Sequence, residues 1–519
     1  MNSDFHSVYQ LGQRVTQLQT AVLIAVLGPA LIGTVWFSPM VVWLIIFGLV
    51  LIVTAIKKPL WVITGLAWYL PFEPFLLKWV GDALYVYVRY TPEIAIYLLA
   101  GVLIARTIFL REKLIKTPVD GPFLCLVIAT ALSVLVNWLP AFTAILGIRQ
   151  IFRFILLFFI ALNFTKSAKF IKILVGGLVV ILFVQLALGT GQKLIGERLD
   201  LLLLPTERHT LGEVVLTAGQ DQFWNYGERV FGTMGRYDQL GIFITFVILL
   251  LLASRYEGVQ LPWSSRFTNI LIIISLPVLA WTYSRSAWFG LILGVLVMAI
   301  YFKKDQVIKW CAIALPILII GYATFTGLVV NRLVDSYSVS LSDRFFEAFS
   351  LERWYGEYYG LGRVYWAVQT VTTVIPTAPI FGVGPGRYGG GAVSSLYDST
   401  VYDKLGLPFG VYGTTGIIDN NWFSLWGEIG TLGLILYFWL YFTVMYLLVI
   451  IYRNSKNAES RAWALGMVCA FMAMLLHASL GTYLEVRTIA PYLWIISGGV
   501  IAIGYKEGVI KSYENRSHS

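Results

Sequence analysis

Charge is scarce in this chain. Only 13% of its 519 residues are Asp, Glu, Lys or Arg, against about 25% in a soluble globular protein. With 58% hydrophobic residues and a mean hydropathy of +0.76, that shortage excludes a water-soluble domain. Cysteine is nearly absent: Cys125, Cys311 and Cys469 all fall inside apolar runs, which gives no disulfide framework and no metal cluster. The four histidines, His6, His209, His477 and His518, have no ligand spacing. His477 reads as a packed or interfacial residue. GxxxxGK, HExxH, Asp-x-Asp and GxSxG motifs are all missing, so ATP hydrolysis, zinc proteolysis and metal-dependent nucleotide-sugar chemistry are unsupported. No cofactor and no metal are expected.

What the chain has instead is a succession of apolar runs, each long enough to cross a hydrocarbon core of roughly 30 Å. About fourteen spans can be drawn, near 19–37, 39–56, 60–77, 91–110, 121–139, 146–164, 170–190, 238–254, 268–284, 286–303, 308–328, 430–452, 461–480 and 487–505. The fold class expected is an all-α polytopic membrane protein with about 14 transmembrane helices and a large outer-face loop. The polar stretch before the first span has no short h-region with a cleavage site, so that span is expected to be a retained helix. Pro71 and Pro74 mark 60–77 as a candidate re-entrant segment.

The net charge of +10 concerns topology rather than nucleic acid. With the N-terminus inside, the short loops holding Lys57-Lys58, Arg106 to Lys116, Lys166 to Lys172, Arg255 and Arg266, Lys303-Lys304 with Lys309, and Arg453 to Arg461 all fall on one side, with the tail from Lys506. That is the positive-inside pattern. Three regions follow: 1–329 with eleven spans and an outer loop near 191–236, a large outer loop at 330–429, and 430–519 with the last spans and a cytoplasmic tail.

The outer side is rich in arginine: Arg198, Arg208, Arg229, Arg236, Arg285, Arg332, Arg344, Arg353, Arg363 and Arg387, with Arg149 and Arg153 near the outer end of their span. Guanidinium forks suit bidentate phosphate binding. Pairing with Asp335, Asp343, Glu347, Glu352 and Glu357 is the alternative; both stay open. Residues 344–375 are expected to be helical up to Pro376. The run Gly382-Val383-Gly384-Pro385-Gly386-Arg387-Tyr388-Gly389-Gly390-Gly391 suits either a plain turn or an anion-binding nest. Trp354, Tyr355, Tyr358, Tyr359, Trp366 and Tyr388 suit sugar contacts or an interfacial aromatic belt.

Three positions carry the chemistry. Arg285 sits in a tight hairpin between two apolar spans, where a permanent charge needs a partner or a function. Arg363 opens a helix in the outer loop. Asp419 shortly precedes the apolar run of a span, which suits an N-cap, a catalytic carboxylate, or both.

Tyr283-Ser284-Arg285-Ser286-Ala287-Trp288-Phe289-Gly290, Gly362-Arg363 through Gly382-Val383-Gly384, and Asp419-Asn420 with Gly430 and Gly433 together resemble the O-antigen ligase and Wzy polymerase superfamily. Arg229-Val230-Phe231-Gly232-Thr233-Met234 is similar to an upstream element of that family. The resemblance covers roughly 229–450. It implies a metal-independent glycosyltransferase at the outer face of the bacterial inner membrane, with a glycan on undecaprenyl diphosphate as donor. Arg285 and Arg363 would bind the diphosphate and Asp419 would act as base; Arg229, Arg236, Arg387, Asn420, Trp366 and Tyr388 would contact substrate. Ligases place a histidine where this chain has Asp419, so the resemblance leans towards a polymerase whose acceptor is a second lipid-linked repeat unit. The alternatives are a ligase acting on lipid A-core or protein, and a lipid-linked glycan flippase or transporter. Membrane lipids and other polysaccharide-assembly proteins are the further partners implied.

Overall fold

The computed structural model describes residues 39–205, 210–211, 214–215, 226–259, 261–302, 341–346, 348 and 351–510. A backbone in hydrocarbon must satisfy its own N–H and C=O groups, and helices do so within one segment. Helix therefore dominates the described residues. The named strands form one hairpin, Thr210–Leu211 (β1) with Val214–Val215 (β2), and a single further bridge joins Gly389 to Ile417.

The first half contains α1 (Pro39–Lys57), α2 (Pro59–Tyr69), α3 (Glu73–Lys78), α4 (Asp82–Phe109), α5 (Asp120–Val136), α6 (Ala141–Phe152), α7 (Ile155–Phe164), α8 (Ala168–Ile195) and α9 (Glu197–Leu203). Then come α10 (Tyr237–Tyr256), α11 (Ser265–Trp281) and α12 (Arg285–Val297). The polar interval holds α13 (Leu341–Phe346), α14 (Leu351–Tyr359), α15 (Arg363–Gln369), α16 (Ile375–Thr377), α17 (Gly391–Leu396) and α18 (Thr400–Leu405). Finally α19 (Asn421–Asn454), α20 (Ala458–Ala478) and α21 (Ala490–Lys506) return through the bundle.

Among the described residues, 6 helices are long and apolar enough to cross a membrane, or 7 if the bent α6–α7 pair is one span. This is a multi-pass membrane protein. The expected spans 19–37 and 308–328 lie outside the described residues, and shorter apolar helices at 44–57, 120–136, 265–281 and 285–300 occupy four other expected positions. Pro71 and Pro74 do not turn the chain back. Each sits in a first helical turn, where the missing N–H leaves no bond unmade, and Pro59–Lys78 qualifies as one span. The sharp break is elsewhere: α6 and α7 meet at 53°, with Arg153 at the joint.

The core is built from helices that are apolar all round, as an interior helix must be. Within their apolar windows α10 is 83% buried and α20 is 78% buried, against 33% for Leu84–Phe109 of α4. α21 lies so close to α7 that a Cβ on Gly498 would stand 2.3 Å from the Phe158 carbonyl oxygen. Small residues of this kind let membrane helices approach.

The lysine-bearing loops meet at one end. Lys506 Nζ donates to the Lys166 carbonyl at 2.5 Å, Lys172 pairs with Glu459 at 2.8 Å, and Arg461 pairs with Glu257 at 2.6 Å. Glu507 accepts from Ser455, Asn457 and Ser460. The polar interval lies at the opposite end.

There α19 starts at Asn421 rather than near 430 and runs through a break at Gly430, whose φ of +70° is non-helical. The break frees α19 carbonyls for another strand of chain. Val383 N–H donates to the Gly427 carbonyl at 2.8 Å and Gly384 N–H to the Glu428 carbonyl at 2.9 Å. Beyond the break, Thr431 and Leu432 N–H groups donate to the Pro379 and Ile380 carbonyls. A Cβ at Gly430 would meet the Ile380 oxygen at 2.2 Å. Gly430 thus has a local cause: only glycine adopts this backbone at this proximity.

Candidate functional site

Asp419 is brought to Arg363 by two turns of backbone. On one side Gly362 N–H bonds to the Glu357 carbonyl at 2.7 Å, Leu361 takes a left-handed φ of +59°, and Trp366 Nε1 donates to the Leu361 carbonyl at 3.1 Å. Those contacts fix the start of α15, whose first residue is Arg363. On the other side Asn420, not Asp419, caps α19, its Oδ1 accepting from the Trp422 and Phe423 N–H groups at 3.0 and 3.1 Å. Asp419 is left out of the cap at a left-handed φ of +51°. Its Oδ2 sits 3.3 Å from Arg363 Nη2, and the two side chains keep 26% and 35% of their surface exposed. A carboxylate held in a sparsely populated backbone region, partly open, and paired with one guanidinium is a functional candidate.

A second pair stands beside the first. Arg236 grips Asp238 through Nε–Oδ1 and Nη2–Oδ2, both 3.0 Å. Tyr483, in the turn between α20 and α21, donates its hydroxyl to Asp238 Oδ2 at 3.0 Å. The Tyr483 and Tyr237 hydroxyls lie within electrostatic reach of Arg363, which joins both Arg–Asp pairs in one cluster. Burial alone would lower the Arg363 pKa, but Asp419 outweighs it and raises it above the ordinary value. Burial pushes the Tyr483 hydroxyl well up, so it remains a donor.

Arg229 borders the cluster through Tyr237. The Arg229 guanidinium stacks 4.4 Å from the Tyr237 ring and feels the like charge of Arg344 on α13. Arg387 Nε lies 3.6 Å from Asp398. Arg285 is the first residue of α12, behind Ser284, whose side chain caps the helix by accepting from Ala287 N–H. Its hairpin is tied to the Arg229 segment by a 3.2 Å bond from Val230 N–H to the Trp281 carbonyl. One turn on, Gly290 lies against His477, whose ring stands edge-on to Tyr483 at 6.3 Å. His477 is buried, the packed residue expected.

Three of the residues expected to contact substrate are buried. Asn420 was expected to contact substrate, yet its side chain is consumed by the cap and by a 2.9 Å bond to the Ser479 carbonyl, and it is buried. Trp366 and Tyr388 are both 0% exposed, so neither offers a face to a sugar in this conformation. They form, with Tyr402, Val393, Val411 and Ile418, a small separate core beneath Asp419. Tyr388 stacks on Tyr402, and its hydroxyl shares a 2.7 Å bond with Thr370. The glycine run is no anion nest, because its N–H groups are already engaged. Gly386 donates to Glu428 at 3.0 Å, Gly389 to the Tyr402 hydroxyl at 2.9 Å, and Gly391 to Glu485 at 2.9 Å. The expected helix over 344–375 is broken between α14 and α15, at residues 360–362.

Asp238 and Tyr483 escaped the sequence reading. Asp238 stands just before an apolar run, and Tyr483 belongs to a short turn between two spans. An acidic residue in the first turn of a span, two residues after an arginine, was the available signal.

Residues 270–438 match the family model described as O-antigen ligase. Over that third of its length the chain is similar to the O-antigen ligase family. No curated protein matches the chain. The matched stretch runs from α11 into α19 and contains Arg285, Arg363, Arg387 and Asp419, whereas Arg229 and Arg236 precede it.

Proposed function

We propose that this protein is a glycosyltransferase that polymerises lipid-linked repeat units of O-antigen or exopolysaccharide on the outer face of the bacterial inner membrane. The observation that carries the reading is the half-exposed Arg363–Asp419 pair, set beside Arg236–Asp238 inside or next to the stretch similar to the O-antigen ligase family. It lies at the end opposite the lysine-bearing loops, which the positive-inside rule makes cytoplasmic.

The donor is a saccharide on undecaprenyl diphosphate. Its diphosphate draws Arg363 and Arg236 and, with Arg285 and Arg229 nearby, finds positive charge where negative charge develops on the leaving group. As Arg363 turns to the phosphate, Asp419 is released to an acceptor hydroxyl. That oxygen bonds to the donor anomeric carbon, the bond from that carbon to the diphosphate oxygen breaks, and undecaprenyl diphosphate departs with the electron pair. The hydroxyl proton passes to Asp419. The arginines supply the charge that a metal would supply elsewhere.

A second reading is favoured by the description of the matched family: a ligase that transfers the same glycan to lipid A-core or to protein. The carboxylate at 419, where ligases of the family are expected to hold histidine, leans towards the polymerase. The test is purified protein in lipid nanodiscs with one lipid-linked repeat unit and no metal. A ladder of lengthened glycans supports the polymerase. Transfer only when lipid A-core is added supports the ligase and removes the polymerase reading.

A further inference from the structure

The turn of chain between α20 and α21 joins two parts of the candidate site. On one side it is fastened to the first residue of α19, two positions after Asp419. Leu484 N–H donates to Asn421 Oδ1 at 2.9 Å, and Asn421 Nδ2 donates to Glu485 at 3.1 Å. On the other side it is fastened to the first turn of α10, which begins one residue after Arg236. Tyr483 donates its hydroxyl to Asp238 Oδ2 at 3.0 Å, and Thr488 Oγ1 donates to Gln239 Oε1 at 2.7 Å. The backbone that carries Tyr483 is therefore held from both directions.

Asp238 is arranged to hold an arginine rather than to take a proton. Its Oδ1 accepts from Arg236 Nε and Gln239 N–H, and its Oδ2 accepts from Arg236 Nη2 and the Tyr483 hydroxyl, each at 3.0 Å. A carboxylate offers about four lone-pair sites, so these donors fill it. Asp238 is buried, whereas the Arg236 side chain keeps 34% of its surface exposed. The pair thus presents its guanidinium, not its carboxylate, to the site. A buried acceptor that lacks a donor is costly, so without the Tyr483 hydroxyl Asp238 would draw the guanidinium harder onto itself. With that hydroxyl in place, Oδ2 can yield Nη2 to a phosphate and remain hydrogen-bonded. Phenylalanine would fill the same volume and could not do this.

We infer that Tyr483 is a positioning residue for the donor, which acts through Asp238 to aim the Arg236 guanidinium at the diphosphate and to let it turn there. The inference rests on the reading of the Arg236–Arg363 cluster as the donor-diphosphate site. It adds a residue that takes no part in bond making and sits outside the stretch similar to the O-antigen ligase family.

The test compares Tyr483→Phe with Thr488→Val in the full chain in nanodiscs. Each removes one hydrogen bond between the same turn and α10, but only the first bears on the Arg236–Asp238 pair. The probe is radiolabelled farnesyl diphosphate at equilibrium, with Tm measured on the same preparations. Loss of a hydrogen bond to a charged group should make Tyr483→Phe bind roughly ten- to a hundredfold more weakly. Thr488→Val should stay within about threefold of wild type at a similar Tm. A purely structural Tyr483 would weaken binding whatever stood at 236. A positioning residue would not, so adding Tyr483→Phe to Arg236→Gln should change the affinity by less than about twofold. Three results overturn the inference: Tyr483→Phe that binds like wild type, Thr488→Val that binds as weakly as Tyr483→Phe, or a Tyr483→Phe effect that persists in full on Arg236→Gln. Wild type that binds no farnesyl diphosphate overturns the diphosphate reading and the inference together. The expected binding pattern in a chain that never elongates sustains the inference and removes the polymerase.

Discussion

Replacing Asp419 by Asn separates its two possible roles by magnitude. Asn is the right substitution because it matches Asp in shape and tolerates the left-handed backbone at φ +51°, whereas Ala would add strain to the lost carboxylate. Structurally the loss is small. At 3.3 Å the pair with Arg363 corresponds to a gross attraction of about 5 kcal/mol at an effective dielectric of about 20. Side chains 35% and 26% exposed are screened, and such pairs contribute about 1 kcal/mol or less in net terms. Asn can also still accept a hydrogen bond from Arg363. Stability should therefore change by about 1 kcal/mol, a shift of a few degrees in Tm at most. Loss of a general base is larger, about 10²- to 10⁴-fold in rate, or about 3 to 5 kcal/mol of barrier at 1.36 kcal/mol per decade. The assay is single-turnover elongation of a lipid-linked repeat in nanodiscs, with Tm and donor binding measured on the same preparations. A rate reduced at least about a hundredfold, with Tm and binding nearly intact, is the expected result. A folded Asp419→Asn protein within about threefold of wild type would refute Asp419 as base and leave it only a partner for Arg363.

Three further outcomes test the local structure. Gly430→Ala puts a Cβ 2.2 Å from the Ile380 oxygen at a φ of +70°, so it should abolish monodisperse protein on size-exclusion chromatography; Gly433→Ala, whose nearest neighbours are Ile429 side-chain atoms rather than backbone, should be milder. Asn420→Ala removes an N-cap and should lower stability by about 1 kcal/mol in thermal unfolding, with Asn420→Asp close to wild type and donor KM unchanged in both. Burial raises the Glu485 carboxyl from 4.5 to about 7, which means the folded state favours its protonated form. That contribution to stability is complete below pH 4.5 and is lost as pH rises to about 7. Wild type should thus lose Tm relative to Glu485→Gln between pH 4.5 and 7, and the two should run parallel above it.

What the sequence disclosed and what it hid follow from the range of the forces involved. Hydrophobic runs and lysine placement act locally, so the helical membrane class and the shared end of the basic loops could be read directly. The pair Arg363 and Asp419 was named separately in the sequence, but the contact depends on which neighbouring residue caps α19, and Asp and Asn are near equals as caps. The side-chain bonds of Asn420 settle that choice and turn Asp419 towards Arg363. Trp366 and Tyr388 misled for a related reason. An aromatic in a polar interval looks exposed until the interval is seen to own a core, and here that core is the platform holding the strained backbone at Asp419 in place. The Glu93 cluster was the least legible, since its members come from four segments far apart in the chain, Glu73, Arg89 with Glu93, Arg149 with Arg153, and Arg487. Of these, only Arg149 and Arg153 stood out in the sequence, four residues apart in one span. Only their convergence in the folded chain shows that Arg149, Arg153 and Arg487 share one carboxylate, Glu93, and so tie two distant segments to α4.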